Sequence, residues 1–141
     1  MKKILIINAN YYSNLSTKLV VDTKKGLKKE KINLNIINVT GVFEIPVAIS
    51  RNINKFDAFI ALGCIIKGKT PHFDLICRST FDSIMKLSIM FKKPIGNGII
   101  TALNLKQAKE RCGLIKSTKP NKGFEAARAV LSILNNGPKK I

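Results

Sequence analysis

Tryptophan is missing from this 141-residue chain, tyrosine occurs twice, histidine once and cysteine three times. Cys64, Cys77 and Cys112 are widely spaced, with no C-x-x-C pair and no Cys/His cluster. That pattern excludes a zinc site or a disulfide framework and fits a reducing, cytoplasmic location. No apolar run approaches the ~18 residues of a membrane span. The opening run Ile4-Leu5-Ile6-Ile7 is too short for a signal-peptide core, and polar Asn8 and Asn10 follow it. G-x-S-x-G, G-x-G-x-x-G and a close acidic pair are all lacking, so hydrolase, dinucleotide-dependent and glycosidase readings have no support.

Acidic residues are also scarce: eight Asp and Glu stand against 25 Lys and Arg, a net charge of +17. Such a balance first suggests a nucleic-acid partner. The make-up of the charge disfavours that reading. Lys supplies 21 of the 25 and Arg only four, alongside 21 Ile and 13 Asn, a drift spread over the whole chain. Arg, the residue suited to bidentate phosphate and base contacts, is the scarce one.

The length predicts one domain over residues 1–141, able to bury roughly 70% of its unfolded surface. Residues 3–9 read as a strand buried on both faces, as in a parallel sheet. Residues 13–29 form an amphipathic helix, with Leu15, Leu19, Val20, Thr23 and Leu27 on one face and lysines on the other. A strand is expected over 32–39, alternating Ile32, Leu34, Ile36. A short helix follows over 44–54, with Pro46 tolerable in its first turn. Further elements are a strand over 57–63, a long helix over 73–91 with Phe73, Ile76, Cys77, Phe81, Ile84, Met85 and Ser88 at helical spacing, and a strand over 94–101. A helix over 105–112, a polar loop over 113–121 and a helix over 122–135 complete the chain. Strands alternating with helices predict an α/β sheet with right-handed crossovers.

In such a sheet the ligand sits beyond the carboxyl ends of the strands. The richest segment there is Gly63-Cys64-Ile65-Ile66-Lys67-Gly68-Lys69-Thr70-Pro71-His72-Phe73-Asp74. Gly68 permits close backbone approach, Thr70 offers a hydroxyl at the helix N-cap, and the helix start favours an anion. The alternative is an ordinary capped turn, since Walker A spacing is absent. His72 is placed for proton transfer near neutral pH, though a lone His is more often structural. Tyr11 and Tyr12 after the first strand can stack on a heterocycle or merely cover the sheet end. Phe43 can be core and Glu44 can serve the helix start. Arg111 and Lys122 read as solvated charges when taken alone.

Four segments together resemble the 6,7-dimethyl-8-ribityllumazine synthase family over roughly residues 4–134. They are Gly41-Val42-Phe43-Glu44-Ile45-Pro46, Ala61 through Asp74, Pro94-Ile95-Gly96-Asn97-Gly98-Ile99-Ile100-Thr101, and Asn121-Lys122-Gly123 with Glu125-Ala126-Ala127. The resemblance implies a flavodoxin-like three-layer α/β/α sandwich with a four-stranded parallel sheet. It implies a transferase of riboflavin biosynthesis that condenses 5-amino-6-(D-ribitylamino)uracil with 3,4-dihydroxy-2-butanone 4-phosphate, releasing the lumazine, water and phosphate. No metal and no organic cofactor are implied.

Carried over residue by residue, Tyr11 would stack on the pyrimidine. Val42, Phe43 and Glu44 would line the ribityl chain, and Cys64, Ile65 and Ile66 would offer backbone groups. Lys69, Thr70 and Arg111 would hold the phosphate, His72 would shuttle protons, and Asn97 and Lys122 would flank the ring. In the family Asn97, Arg111 and Lys122 come from a neighbouring subunit, so a homo-oligomer is implied, and a functional association with riboflavin synthase stays open. This chain has Asn10-Tyr11-Tyr12 where many members have Arg-Phe-Asn, Asn97 where many have Phe, and Ala102-Leu103-Asn104 for Thr-Glu-Asn. The loop over 114–120 is longer than in shell-forming members, and the N-terminal extension seen in many is lacking. Those departures favour a pentamer or decamer over a 60-subunit shell. They also keep open a catalytically weakened relative that binds a flavin-like ligand, beside the basic nucleic-acid-binding α/β alternative.

Overall fold

The computed structural model describes residues 1–118 and 121–141. Strands β1 (Lys2–Ala9), β2 (Ile32–Val39), β3 (Ala58–Ile66) and β4 (Ile95–Ala102) form one parallel sheet in the order β2-β1-β3-β4. Helices α1 (Ser13–Leu27), α2 (Ile45–Asn52), α3 (His72–Phe91), α4 (Leu105–Arg111) and α5 (Lys122–Leu134) link and follow the strands, with a short 3-10 turn at Val42–Glu44.

The unbroken apolar runs of β1 and β3 follow from burial on both faces. Ile4, Ile6, Ile60 and Leu62 pack with Leu15 and Leu19 of α1 and Ala126 and Val130 of α5. Leu5, Ile7, Phe59 and Ala61 pack on the opposite face with Ile45 and Ile49 of α2 and Ile84 of α3. Successive side chains of a strand point to opposite faces, so a strand between two helical layers must be apolar throughout. The result is the three-layer α/β/α arrangement with a four-stranded parallel sheet, consistent with the flavodoxin-like expectation.

Several boundaries differ from the sequence expectation. β3 does not stop at Gly63 but runs on to Ile66, because Cys64, Ile65 and Ile66 stay in register with Ile100, Thr101 and Ala102 of β4. The Lys67 amide then donates to the Ala102 carbonyl at 2.9 Å. Gly63 serves packing instead: a Cβ there would lie 2.7 Å from Val42 Cγ2 and 3.1 Å from the Ala9 Cβ. The helix expected from Glu44 divides into the 3-10 turn and α2, and α1 ends at Leu27. On β2, Ile36 is exposed although it continues the Ile32, Leu34 row, since an edge strand is incompletely covered. Part of the loop expected over 113–121 (residues 119–120) lies outside the described residues.

α3 departs most from an ordinary surface helix. Of its 20 residues only Thr80 and Ile84 are buried, with Ile76, Phe81 and Leu87 packed at the margin of the core. Met85, at helical spacing with Ile84 and Phe81, is exposed, and so are Leu75, Ile89 and Met90. The contact of α3 with the sheet is a narrow stripe, and apolar residues beside that stripe face outward.

The strand order places β1 between β2 and β3, so the chain reverses direction across the sheet at the β1/β3 junction. Loops leaving the carboxyl ends of β1 and β3 diverge there and open a crevice.

Candidate active site

The crevice at that junction is a cleft of about 380 Å³. After β1 come Tyr11 and Tyr12, after β2 the turn with Val42, Phe43 and Glu44, and from β3 and the start of α3 come Cys64, Ile65, Ile66 and His72. Eight of the side chains singled out from sequence thus meet in one place: Tyr11, Val42, Phe43, Glu44, Cys64, Ile65, Ile66 and His72.

Each wall has a local cause. Tyr11 is 76% and Phe43 63% exposed, so neither ring is a core residue. Two aromatics left in solvent at the mouth of a cleft supply flat apolar surface for a ligand. Tyr11 meets Tyr12 edge to face, with ring centroids 4.9 Å apart, and Tyr12 in turn packs against the buried core. Burial, with smaller contributions from Cys64 and Tyr11, holds the Tyr12 phenol above its ordinary range. It therefore stays a hydrogen-bond donor at neutral pH. The Glu44 carboxylate is fixed to the cleft wall by the Thr40 hydroxyl, which donates to Oε1 at 2.8 Å. Thr40 opens a segment at the carboxyl end of β2, where a ligand is expected, and its i, i+4 spacing to an acid at a turn is the sequence signal for this bond.

Cys64 lies at the cleft floor, and burial followed by the nearby Cys112 pushes its thiol up to about 12. A thiol of that kind is protonated at neutral pH and is not a nucleophile. All three cysteines are free. Among the described residues no group of three or more His, Cys, Asp or Glu side chains converges.

Lys69 and Thr70 are exposed in the loop before α3 and do not line the cleft. Thr70 is not the N-cap as expected: Pro71 occupies that position and no side chain caps the helix. A proline cannot offer a capping oxygen, so the first amides of α3 have no side-chain acceptor from the cap. That helix end still carries the positive end of the dipole. A Cβ on Gly68 would meet nothing within 4 Å, so no packing inside the chain demands a glycine there.

The other three candidates are elsewhere. Asn97, Arg111 and Lys122 line a pocket of about 110 Å³ along the β4 edge, closed on one side by Phe81 of α3. Asn97 Oδ1 accepts from the Ile99 amide at 3.0 Å. The glycines flanking Asn97 belong to packing: a Cβ on Gly96 would sit 2.5 Å from the Ala126 carbonyl oxygen, and one on Gly98 2.4 Å from Leu62 Cδ2. Arg111 is half-buried, and its Nε is fully buried without a hydrogen-bond partner. A buried, unpaired guanidinium nitrogen is costly, which argues against the plain solvated charge. Lys122 lies 3.8 Å from Glu125 Oε1.

One chain therefore carries two separate pockets. The cleft is built from the ends of β1, β2 and β3, while the basic pocket is built on β4 at the opposite edge of the sheet.

Residues 1–137 match the 6,7-dimethyl-8-ribityllumazine synthase family. A 6,7-dimethyl-8-ribityllumazine synthase of Campylobacter curvus is 37% identical over 139 residues, covering 95% of this chain and 87% of that protein. One from Campylobacter hominis is 38% identical with the same coverage. One from Cutibacterium acnes is 37% identical over 133 residues, covering 94% of this chain and 80% of that protein. A match over nearly the whole chain places this chain in the 6,7-dimethyl-8-ribityllumazine synthase family.

Proposed function

We propose that the chain catalyses the condensation of 5-amino-6-(D-ribitylamino)uracil with 3,4-dihydroxy-2-butanone 4-phosphate in riboflavin biosynthesis, in the cytoplasm. The observation that carries this reading is the convergence of seven family-motif residues and Tyr11 on one cleft, with Asn97, Arg111 and Lys122 together in a second pocket. Tyr11 stacks on the uracil ring. Val42 and Phe43 line the ribityl chain, Glu44 accepts from one of its hydroxyls, and backbone groups of Cys64, Ile65 and Ile66 hold the polar edges.

The phosphate of the second substrate sits at the start of α3, beside Lys69 and Thr70, where uncapped amides and the helix dipole favour an anion. His72, the first residue of α3, moves protons as the amine adds to the carbonyl, water leaves and phosphate is eliminated. None of these steps needs a covalent enzyme intermediate, which agrees with a Cys64 thiol held protonated. Holding two substrates in contact can by itself supply about 7–11 kcal/mol in favourable cases, and general acid–base help adds about 10²–10⁴-fold.

The working unit is a homo-oligomer, a reading that the separation of the cleft from the basic pocket supports. Asn97, Arg111 and Lys122 of one copy complete the cleft of the next, where Arg111 pairs with the phosphate and Asn97 and Lys122 approach the ring. The outward apolar residues of α3, Leu75, Met85, Ile89 and Met90, suit burial between copies. A pentamer or a pair of pentamers is the assembly we favour.

Mixing the protein with both substrates tests the reading: phosphate release and a fluorescent lumazine should appear faster than in the protein-free mixture. No acceleration by folded protein would overturn it. Arg111→Ala should raise the KM for the phosphate substrate above all other constants. Native mass measurement should return a multiple of the chain, and a monomer would break the shared site.

A further inference from the structure

Among the eight acidic residues of this chain, Asp22 is the buried one. It lies in the middle of α1, far along the chain from any motif, and takes no part in the cleft or the basic pocket. Its carboxylate is nonetheless fully engaged. Lys18 Nζ donates to both oxygens, at 2.8 and 2.6 Å, and Lys25 Nζ stands 3.7 Å from Oδ1. Asn121 Nδ2 donates to Oδ2 at 2.6 Å.

Asn121 acts as a tie through both its amide nitrogen and its amide oxygen. Nδ2 also donates to the Cys112 carbonyl at 3.1 Å, and Oδ1 accepts from the Phe124 amide at 3.1 Å to cap α5. These bonds join the middle of α1, the end of α4 and the start of α5 at one point. Gly113 completes the junction. Its φ is +82°, and a Cβ there would lie 2.7 Å from Asn121 Nδ2. Both the backbone conformation and the space demand glycine.

The junction matters because of its chain neighbours. Cys112 follows Arg111, and Asn121 precedes Lys122, so the two ends tied together are those that send a guanidinium and an ammonium into the same small pocket. Core packing of Ala108 and Cys112 with Ala126 and Ala127 brings α4 and α5 close, and the tie adds a direct polar link between the two ends.

We propose that Asp22 is a positioning residue for the Arg111/Lys122 pocket: through Asn121 it holds Arg111 at the spacing from Lys122 at which its guanidinium meets the phosphate of the second substrate. The proposal rests on the function proposed above. Asp22 touches no substrate and acts only through the clamp.

The test compares the full-length wild type with Asp22→Ala and Asp22→Asn in steady-state kinetics and in a titration with inorganic phosphate followed at the Arg111 Nε–H NMR signal. Losing a hydrogen bond to a charged group predicts a rise of about tenfold in the KM for the phosphate substrate in Asp22→Ala. The kcat and the KM for the aminouracil should move much less. The phosphate titration should weaken in parallel. Asp22→Asn keeps an oxygen for Asn121 and should lie between the two, about threefold above wild type. A merely structural role would lower the melting temperature and leave the KM values of the folded protein alike. Equal phosphate KM and equal titration in every variant that folds would overturn the clamp. If the wild type shows no turnover, the proposed reaction fails by itself and the titration alone decides the clamp. Weaker phosphate response in the variants then supports it, and equal response, including none in any protein, overturns it.

Discussion

The Thr40 hydroxyl donates to Glu44 Oε1 at 2.8 Å, tying the residue that follows β2 to the acid at the end of the 3-10 turn. The bond holds one carboxylate oxygen inside the chain and fixes the other at the cleft wall, so the acceptor does not have to be ordered when substrate arrives. Preorganisation of this kind lowers the cost of binding. Thr40→Val should therefore raise the KM for the ribityl substrate about fivefold with little change in kcat, the loss of one hydrogen bond of about 1 kcal/mol. Unchanged kinetics would remove Thr40 from this role.

Tyr11 presents its ring rather than its hydroxyl as the working group. Tyr11→Phe should stay within about twofold of wild type, while Tyr11→Ala should raise the aminouracil KM by about tenfold, the upper range for aromatic stacking. Equal losses in both variants would point to the hydroxyl. Because the ring is exposed, neither change should alter the unfolding midpoint in urea.

Cys64 gives a pH-dependent stability. Its thiol is raised from 9.0 to about 12 in the folded chain. As pH rises above 9, the unfolded chain loses this proton first, so stability falls between about 9 and 12. Cys77 and Cys112 are raised for the same leading reason, burial, and act in the same direction. Urea unfolding at pH 7 to 11 should show this decline, and Cys64→Ala should make it shallower. An identical slope would show that Cys64 is not its source.

Gly96 tests the packing that shapes the basic pocket. A Cβ there would meet the Ala126 carbonyl oxygen at 2.5 Å and Val130 Cγ2 at 2.8 Å. Backbone cannot move aside as a flexible side chain can, so Gly96→Ala should destabilise the chain by about 1–3 kcal/mol in urea unfolding. Stability within 0.5 kcal/mol of wild type, roughly the noise of a neutral surface change, would contradict this close approach.

Legibility in the sequence followed the physics of each element. The runs Ile4-Leu5-Ile6-Ile7 and Ala58-Phe59-Ile60-Ala61-Leu62 suit strands buried on two faces, and the structure buries them so. Ile36 and Met85 are exposed although they follow the apolar spacing of their elements, because periodicity reports which face a residue lies on, not whether a neighbour covers that face. Gly63 looked like the end of a strand because the partner strand that prolongs β3 is far along the chain. Thr70 looked like a cap because one sequence pattern serves both Thr-Pro at a cap and Thr-Pro just ahead of one.

The sequence by itself determined the alternation of strands and helices, the family motifs and the residues those motifs carry, since these depend on local spacing and side-chain chemistry. Only the tertiary structure decided that the thirteen candidates divide: eight in the cleft, three in the β4 pocket, and Lys69 and Thr70 on the loop between strand and helix. It alone brought Asp22 to Asn121, a contact between residues 99 positions apart. The strand order β2-β1-β3-β4 is the physical reason. It sets the β4 edge away from the β1/β3 crevice, and it packs α5 on α1, bringing residues distant in the chain within bonding distance.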